Sequence, residues 1–181
     1  LLREAYAIPY SVSPCTSVFG LTRASVRSRV GFTLSAFNTE RGMAKIQVIT
    51  ALTLDGYLPP AGGQWMEWFR HDREGLPLWL SRCTFTLPPG YPLIDLMCEL
   101  KSMSEGCTYV AEVTDAGQVE LLRGLFLYRM VDELVVYLLP QLSGGGLSPL
   151  ADLPRASAWT LRQSRSFGNG ICRLVYRKKA E

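Results

Sequence analysis

The sequence predicts an α/β protein built on a mixed, mostly parallel sheet that ends in a β-hairpin. Three observations carry this. A strand-like run, a capped helix with an apolar stripe and a second apolar run follow one another over residues 107–139. That order is a βαβ unit, which implies a right-handed crossover between parallel strands. Residues 158–167 and 171–177 alternate in β fashion about Gly168-Asn169-Gly170, a C-terminal hairpin with an Asn-Gly-type turn. Residues 45–52 (KIQVITAL) add an early β-rich run with Ile46, Val48 and Ile49, the pattern of a buried strand.

The remaining elements follow in chain order. Asp55-Gly56 breaks the first strand, and Pro59-Pro60-Ala61-Gly62-Gly63 makes an irregular loop. Gln64–His71 (QWMEWFRH) reads as a short helix whose aromatic cluster belongs in the core. Residues 77–104 are less decided. Phe85 sits in a candidate strand closed by Pro88-Pro89-Gly90, while 92–100 (PLIDLMCEL) fits strand or helix, because a short apolar run has no telling period. Residues 107–113 (CTYVAEV) are a clear strand. Thr114 and Asp115 then offer N-cap oxygens, with Gln118 placed to complete a capping box. Val119, Leu122, Leu125, Phe126 and Met130 form the stripe that packs this helix on a sheet, with Arg123 and Arg129 off it. Residues 133–139 (ELVVYLL) are nearly all apolar, as a strand covered on both faces would be.

Composition narrows the classes of function. The net charge of +3 lies wholly in residues 1–42, where Arg3, Arg23, Arg27, Arg29 and Arg41 oppose Glu4 and Glu40. Residues 43–181 are neutral, so no electrostatic case exists for a nucleic-acid partner. No run approaches the roughly 18–20 apolar residues of a membrane span. The five cysteines (Cys15, Cys83, Cys98, Cys107, Cys172) lack metal-site or framework spacing, and fit free thiols in a reducing, cytoplasmic setting. We expect no metal site. His71, the one histidine, fits a surface or helix-end position better than a catalytic base.

Residues 1–42 are rich in Ser, Thr and Arg without periodicity, and Met43-Ala44-Lys45 reads like a natural start. We expect an extension over 1–42, explained as upstream sequence read in frame, a poorly ordered tail or a transit peptide. One domain is expected over 43–181.

Two motifs carry a family resemblance. Ala51-Leu52-Thr53-Leu54-Asp55-Gly56-Tyr57 looks like the first strand and loop of the reductase domain of riboflavin biosynthesis and its dihydrofolate-reductase-like relatives, where the segment reads S/T-x-D-G. Val131-Asp132-Glu133-Leu134, then Pro140, Gly144-Gly145-Gly146 and Pro149-Leu150, resembles that family's V-D-E-L…P…G-G-G…P-L/F passage. The resemblance covers most of residues 45–178. It implies a dihydrofolate-reductase-like three-layer fold, an NADPH-dependent reductase of a pteridine- or pyrimidine-like ring, and a homodimer. Asp55, Glu112, Gly144 and Gly145 would then meet the substrate. Thr53, Gly56, Thr114 and Gly146 would border the cofactor. No residue stands out as proton donor.

The sequence departs from the family in two places. The family has E-G-G at the end of the strand before the capped helix, where glycines let backbone N–H groups approach the cofactor phosphates. Here Glu112 matches the acid, but Val113-Thr114 stand in the glycine positions and Asp115 follows. The stretch from Gly56 to Glu112 is also shorter than in the family and lacks a V-G-R-x-T-Y-like segment. A second expectation therefore stands beside the reductase: a catalytically inactive relative serving as a small-molecule-binding or protein-interaction module. Each residue has a plain alternative as well. Asp55-Gly56 reads equally as a turn, Glu112 as a solvent-facing or capping residue, and the triple glycine as a flexible loop.

Overall fold

The structure, a computed structural model, describes residues 44–102, 106–151, 153 and 158–179. The extension expected over 1–42 lies outside the described residues.

The elements run β1 (Lys45–Thr53), α1 (Gln64–His71), α2 (Leu76–Leu80), β2 (Phe85–Thr86), α3 (Leu93–Ser102), β3 (Thr108–Val113), α4 (Ala116–Leu127), β4 (Glu133–Leu139), β5 (Trp159–Ser166) and β6 (Cys172–Lys178). The six strands form one sheet in the order β2-β3-β1-β4-β6-β5. The β2, β3, β1 and β4 strands are mutually parallel, and β6 and β5 join antiparallel. β1 lies at the centre and is buried from Ile46 to Thr53.

Helices cover both faces. Alternate residues of the central strands, such as Val48, Ala111 and Val136, pack with Leu96 of α3 and Leu122 and Leu125 of α4. The intervening residues, such as Ile49, Val110 and Val135, pack with Met66 and Phe69 of α1 and Trp79 of α2. Each fully buried large apolar side chain contributes roughly 2 kcal/mol of transfer free energy, so the two faces together dominate stability.

The undecided stretch 92–100 is helix. Leu93, Leu96 and Leu100 all meet the core, and their three- and four-residue steps share one helical face. Leu96 alone is fully buried and Ile94 is exposed, so the stripe is too thin to be read from the sequence. α4 begins with the expected capping box of Asp115 and Gln118. It stops at Leu127, earlier than the stripe to Met130 suggests, in a Schellman-type close. Met130 N–H bonds the Leu125 carbonyl (2.9 Å) and Arg129 N–H bonds that of Phe126 (3.0 Å), with Arg129 left-handed at φ 56°.

The hairpin closes through the three-residue loop Gly168-Asn169-Gly170, with Phe167 N–H donating to the Ile171 carbonyl (2.9 Å). Gly170 N–H donates to the Phe167 carbonyl (3.0 Å) and Gly170 takes φ 86°, which places a left-handed glycine after the turn. Among the described residues no helix is long and apolar enough to cross a membrane.

Candidate functional site at the carboxyl edge of the sheet

β1 runs between two parallel neighbours: it ends level with β4, Thr53 facing Leu139, and passes the end of β3 three residues earlier, where Thr50 faces Val113. The loops after these strands therefore crowd one edge, where open α/β sheets bind ligands. The Thr50 hydroxyl, fully buried, donates to the Val113 carbonyl (2.7 Å) and fixes where β3 ends.

The two sequence motifs meet there as one unit. Thr53 is fully buried, and its amide and hydroxyl bond the Tyr57 backbone, while Gly56 N–H donates to the Thr53 carbonyl (2.9 Å). Gly56 sits at φ 82°, a conformation that favours glycine. The Asp55 carboxylate leaves this tight loop and accepts the amides of Ser143 (3.1 Å) and Gly144 (2.7 Å), along with the Thr53 hydroxyl. Leu54 N–H bonds the Gln141 carbonyl (2.9 Å), Leu58 N–H that of Leu147 (2.8 Å), and the Ser148 hydroxyl that of Gly56 (2.9 Å). Gly146, at φ 134°, lies against Tyr57. A Cβ added at Gly144 or Gly145 would meet nothing within 4 Å, so that stretch borders open space.

Asp55 is thus a staple between β1 and the glycine loop. The Thr53 hydroxyl above all, helped by the Gly144 and Ser143 amides, lowers its pKa from 3.8 to about 2. A depressed carboxylate stabilises the fold above its unfolded pKa and loses that contribution as pH falls through the folded value. The staple should therefore loosen between about pH 4 and about pH 2. Hydrogen exchange should show the Ser143 and Gly144 amides losing protection over that window, and losing it at neutral pH in Asp55→Ala. Unchanged protection in Asp55→Ala would remove the staple from the account.

Glu112 and Thr114 form a second group at the end of β3. The Thr114 hydroxyl donates to Glu112 Oε1 (2.9 Å), and the Thr114 amide donates to Gln118 Oε1 (2.7 Å). Gln118 Oε1 also accepts the Asp115 amide (3.1 Å), and Asp115 Oδ1 accepts the Gly117 amide (2.8 Å). Val113 is fully buried and Thr114 nearly so. The Gly117 and Gln118 amides in the first turn of α4 are therefore bonded within the chain. Glu112 is half-buried on the face that carries α1 and α2.

Sequence reasoning did not assign Ser143, Gln141 or Ser148, which hold the glycine loop; their partners lie some 90 residues away, and no short-range pattern marks them. His71 is exposed at the end of α1 beside Glu67 (3.3 Å). Cys83, Cys98, Cys107 and Cys172 are free. Among the described residues no cluster of three His, Cys, Asp or Glu side chains could hold a metal.

Solved structures share this α/β fold. RibD of Acinetobacter baumannii superposes with a TM-score of 0.55 at 13% identity, over 77% of this chain and 59% of that one. A diaminohydroxyphosphoribosylaminopyrimidine deaminase/5-amino-6-(5-phosphoribosylamino)uracil reductase of Thermotoga maritima gives 0.50 at 12% identity, over 76% and 57%. Riboflavin biosynthesis reductase Rib7 of Saccharomyces cerevisiae gives 0.42 at 12% identity, over 80% and 94%. The chain spans under three fifths of the two bacterial proteins. No family profile and no curated protein sequence matches it. At these identities the likeness establishes the fold: the dihydrofolate-reductase-like α/β fold of the riboflavin-biosynthesis reductases.

Proposed function

We propose that the carboxyl edge binds a flat, nitrogen-rich ring of the pteridine or pyrimidine kind, as a reductase of the riboflavin-biosynthesis and dihydrofolate-reductase type does. The observation that carries this is the union of the β1 loop and the glycine loop beside open space at Gly144 and Gly145. Glu112 is the side chain suited to ring N–H groups, because a carboxylate is an acceptor on both oxygens and only one is engaged by Thr114. Gly144 and Gly145 leave room for a ring to approach the backbone. Asp55 acts through the glycine loop, as a positioning residue.

The hydride donor of such a reductase is NADPH. The residues at α4 do not fit its pyrophosphate, since the amides that would receive it are bonded to Asp115 and Gln118. This same closure favours a second reading, a non-catalytic relative that keeps the ring-binding edge.

Calorimetric titration with pterins and aminopyrimidines tests the proposal. Saturable binding is expected, weakened about tenfold or more in Glu112→Gln, the loss typical of a charge-assisted hydrogen bond. No binding by any ring of either class would end it.

A further inference from the structure

We infer that the N-terminus of α4 rejects the pyrophosphate of a dinucleotide, so that this domain departs from the reductases whose fold it shares at the cofactor and not at the ring. The inference rests on the proposal that ligands lie at the carboxyl edge. A helix N-terminus attracts phosphate through free N–H groups and the positive end of the helix dipole. Here the Gly117 and Gln118 amides of the first turn are bonded to Asp115, and the Thr114 and Asp115 amides just ahead of the helix donate to the Gln118 side-chain carbonyl. An incoming phosphate would have to break the capping box and sit against a carboxylate.

The surrounding charge acts in the same direction. Five loops meet at this edge: 53–63, 86–92, 112–118, 139–148 and the hairpin turn 167–171, whose Gly170 lies against Pro140. Together they contain no Lys, Arg or His, but include Asp55, Glu112 and Asp115. Three cations on adjoining elements already have partners. Arg70 donates to the Ala61 carbonyl (3.0 Å), and Arg165 and Arg173 both face Glu74. The carboxylates carried by these described segments act against a ligand with several phosphate charges. The valine and threonine that stand in place of the family's glycines are both buried.

The test is to titrate the full chain with NADPH and, separately, with inorganic pyrophosphate, followed by calorimetry and tryptophan fluorescence. Neither should saturate at millimolar concentration. Asp115→Ser with Gln118→Ala removes the charge and frees amides while serine keeps an N-cap oxygen. This variant, shown folded by its melting curve, should bind pyrophosphate about tenfold or more tighter than the parent. Saturable micromolar binding of NADPH by the unmodified chain, competed by pyrophosphate, would overturn the inference. So would a folded variant with no gain. Ring binding is measured without any nucleotide, so its failure and this one are read separately.

Discussion

Gly75→Ala should destabilise the domain by about 3 kcal/mol, lowering the melting temperature by roughly 10 °C. Gly75 sits between α1 and α2, where an added Cβ would lie 2.2 Å from the Phe69 carbonyl oxygen and 2.9 Å from its carbon. These are backbone atoms of a helix whose Phe69 is fully buried, so neither side can yield locally. The strain would spread to a buried polar knot. The Tyr137 hydroxyl donates to the Glu74 carbonyl (2.7 Å) and lies 3.2 Å from that of Gly75, while accepting Trp79 Nε1–H (2.7 Å). Gly124→Ala is the natural control. Its Cβ would lie 2.3 Å from Leu93 Cδ1, a side-chain tip that can rotate away, so about 1 kcal/mol is expected. Equal losses in thermal melts of the two variants would refute the distinction between backbone and side-chain obstruction.

Glu74→Ala should cost about 2 kcal/mol, below the range for a fully buried pair because Glu74 is partly exposed. Arg173, opposite Tyr137 in the sheet, is buried to 3% exposure. Its guanidinium lies over Trp79 (5.5 Å) and Phe167 (5.7 Å), with Glu74 Oε2 at 3.6 Å. Its Nε has no hydrogen-bond partner in the structure. Removing Glu74 leaves this charge held among aromatic faces without a counter-ion, and also frees Arg165, which Glu74 holds at 2.8 Å. Arg173→Met tests the cause. In the Glu74→Ala background it should recover part of the loss, because the uncompensated charge goes while much of the packing volume stays. Additive losses in denaturant unfolding would show that the two residues act independently.

The legible parts of the sequence were those whose cause is local. β3, α4 and β4 announce themselves through an apolar run, a cap at Asp115 and Gln118, and a three- and four-residue stripe, each spanning a few residues. α2 was missed, since five residues with Pro77 in the first turn carry no period. α3 was ambiguous because most of its surface is exposed and its packing is completed by Gly124, a feature of another helix. At the site, Thr53, Asp55, Gly56 and the triple glycine were found as motifs, but their mutual hydrogen bonds were not, since Asp55 and Gly144 stand 89 residues apart. The buried Arg173 escaped notice for the same reason. In sequence it looks like one more cation of a basic hairpin, and only the turn between α1 and α2 supplies its counter-charge.

The central place of β1 bears on how the chain is made. Its hydrogen bonds reach Val113, 63 residues on, and Asp132, 86 residues on. During synthesis the first strand therefore emerges long before either neighbour exists. Closing such loops precedes any reward in burial, which slows folding and prolongs exposure of a run that is almost wholly apolar in the finished core. A ribosome-bound chain halted before β4 should stay open to protease at 45–53, and gain protection there only once residues 133–139 have left the exit tunnel.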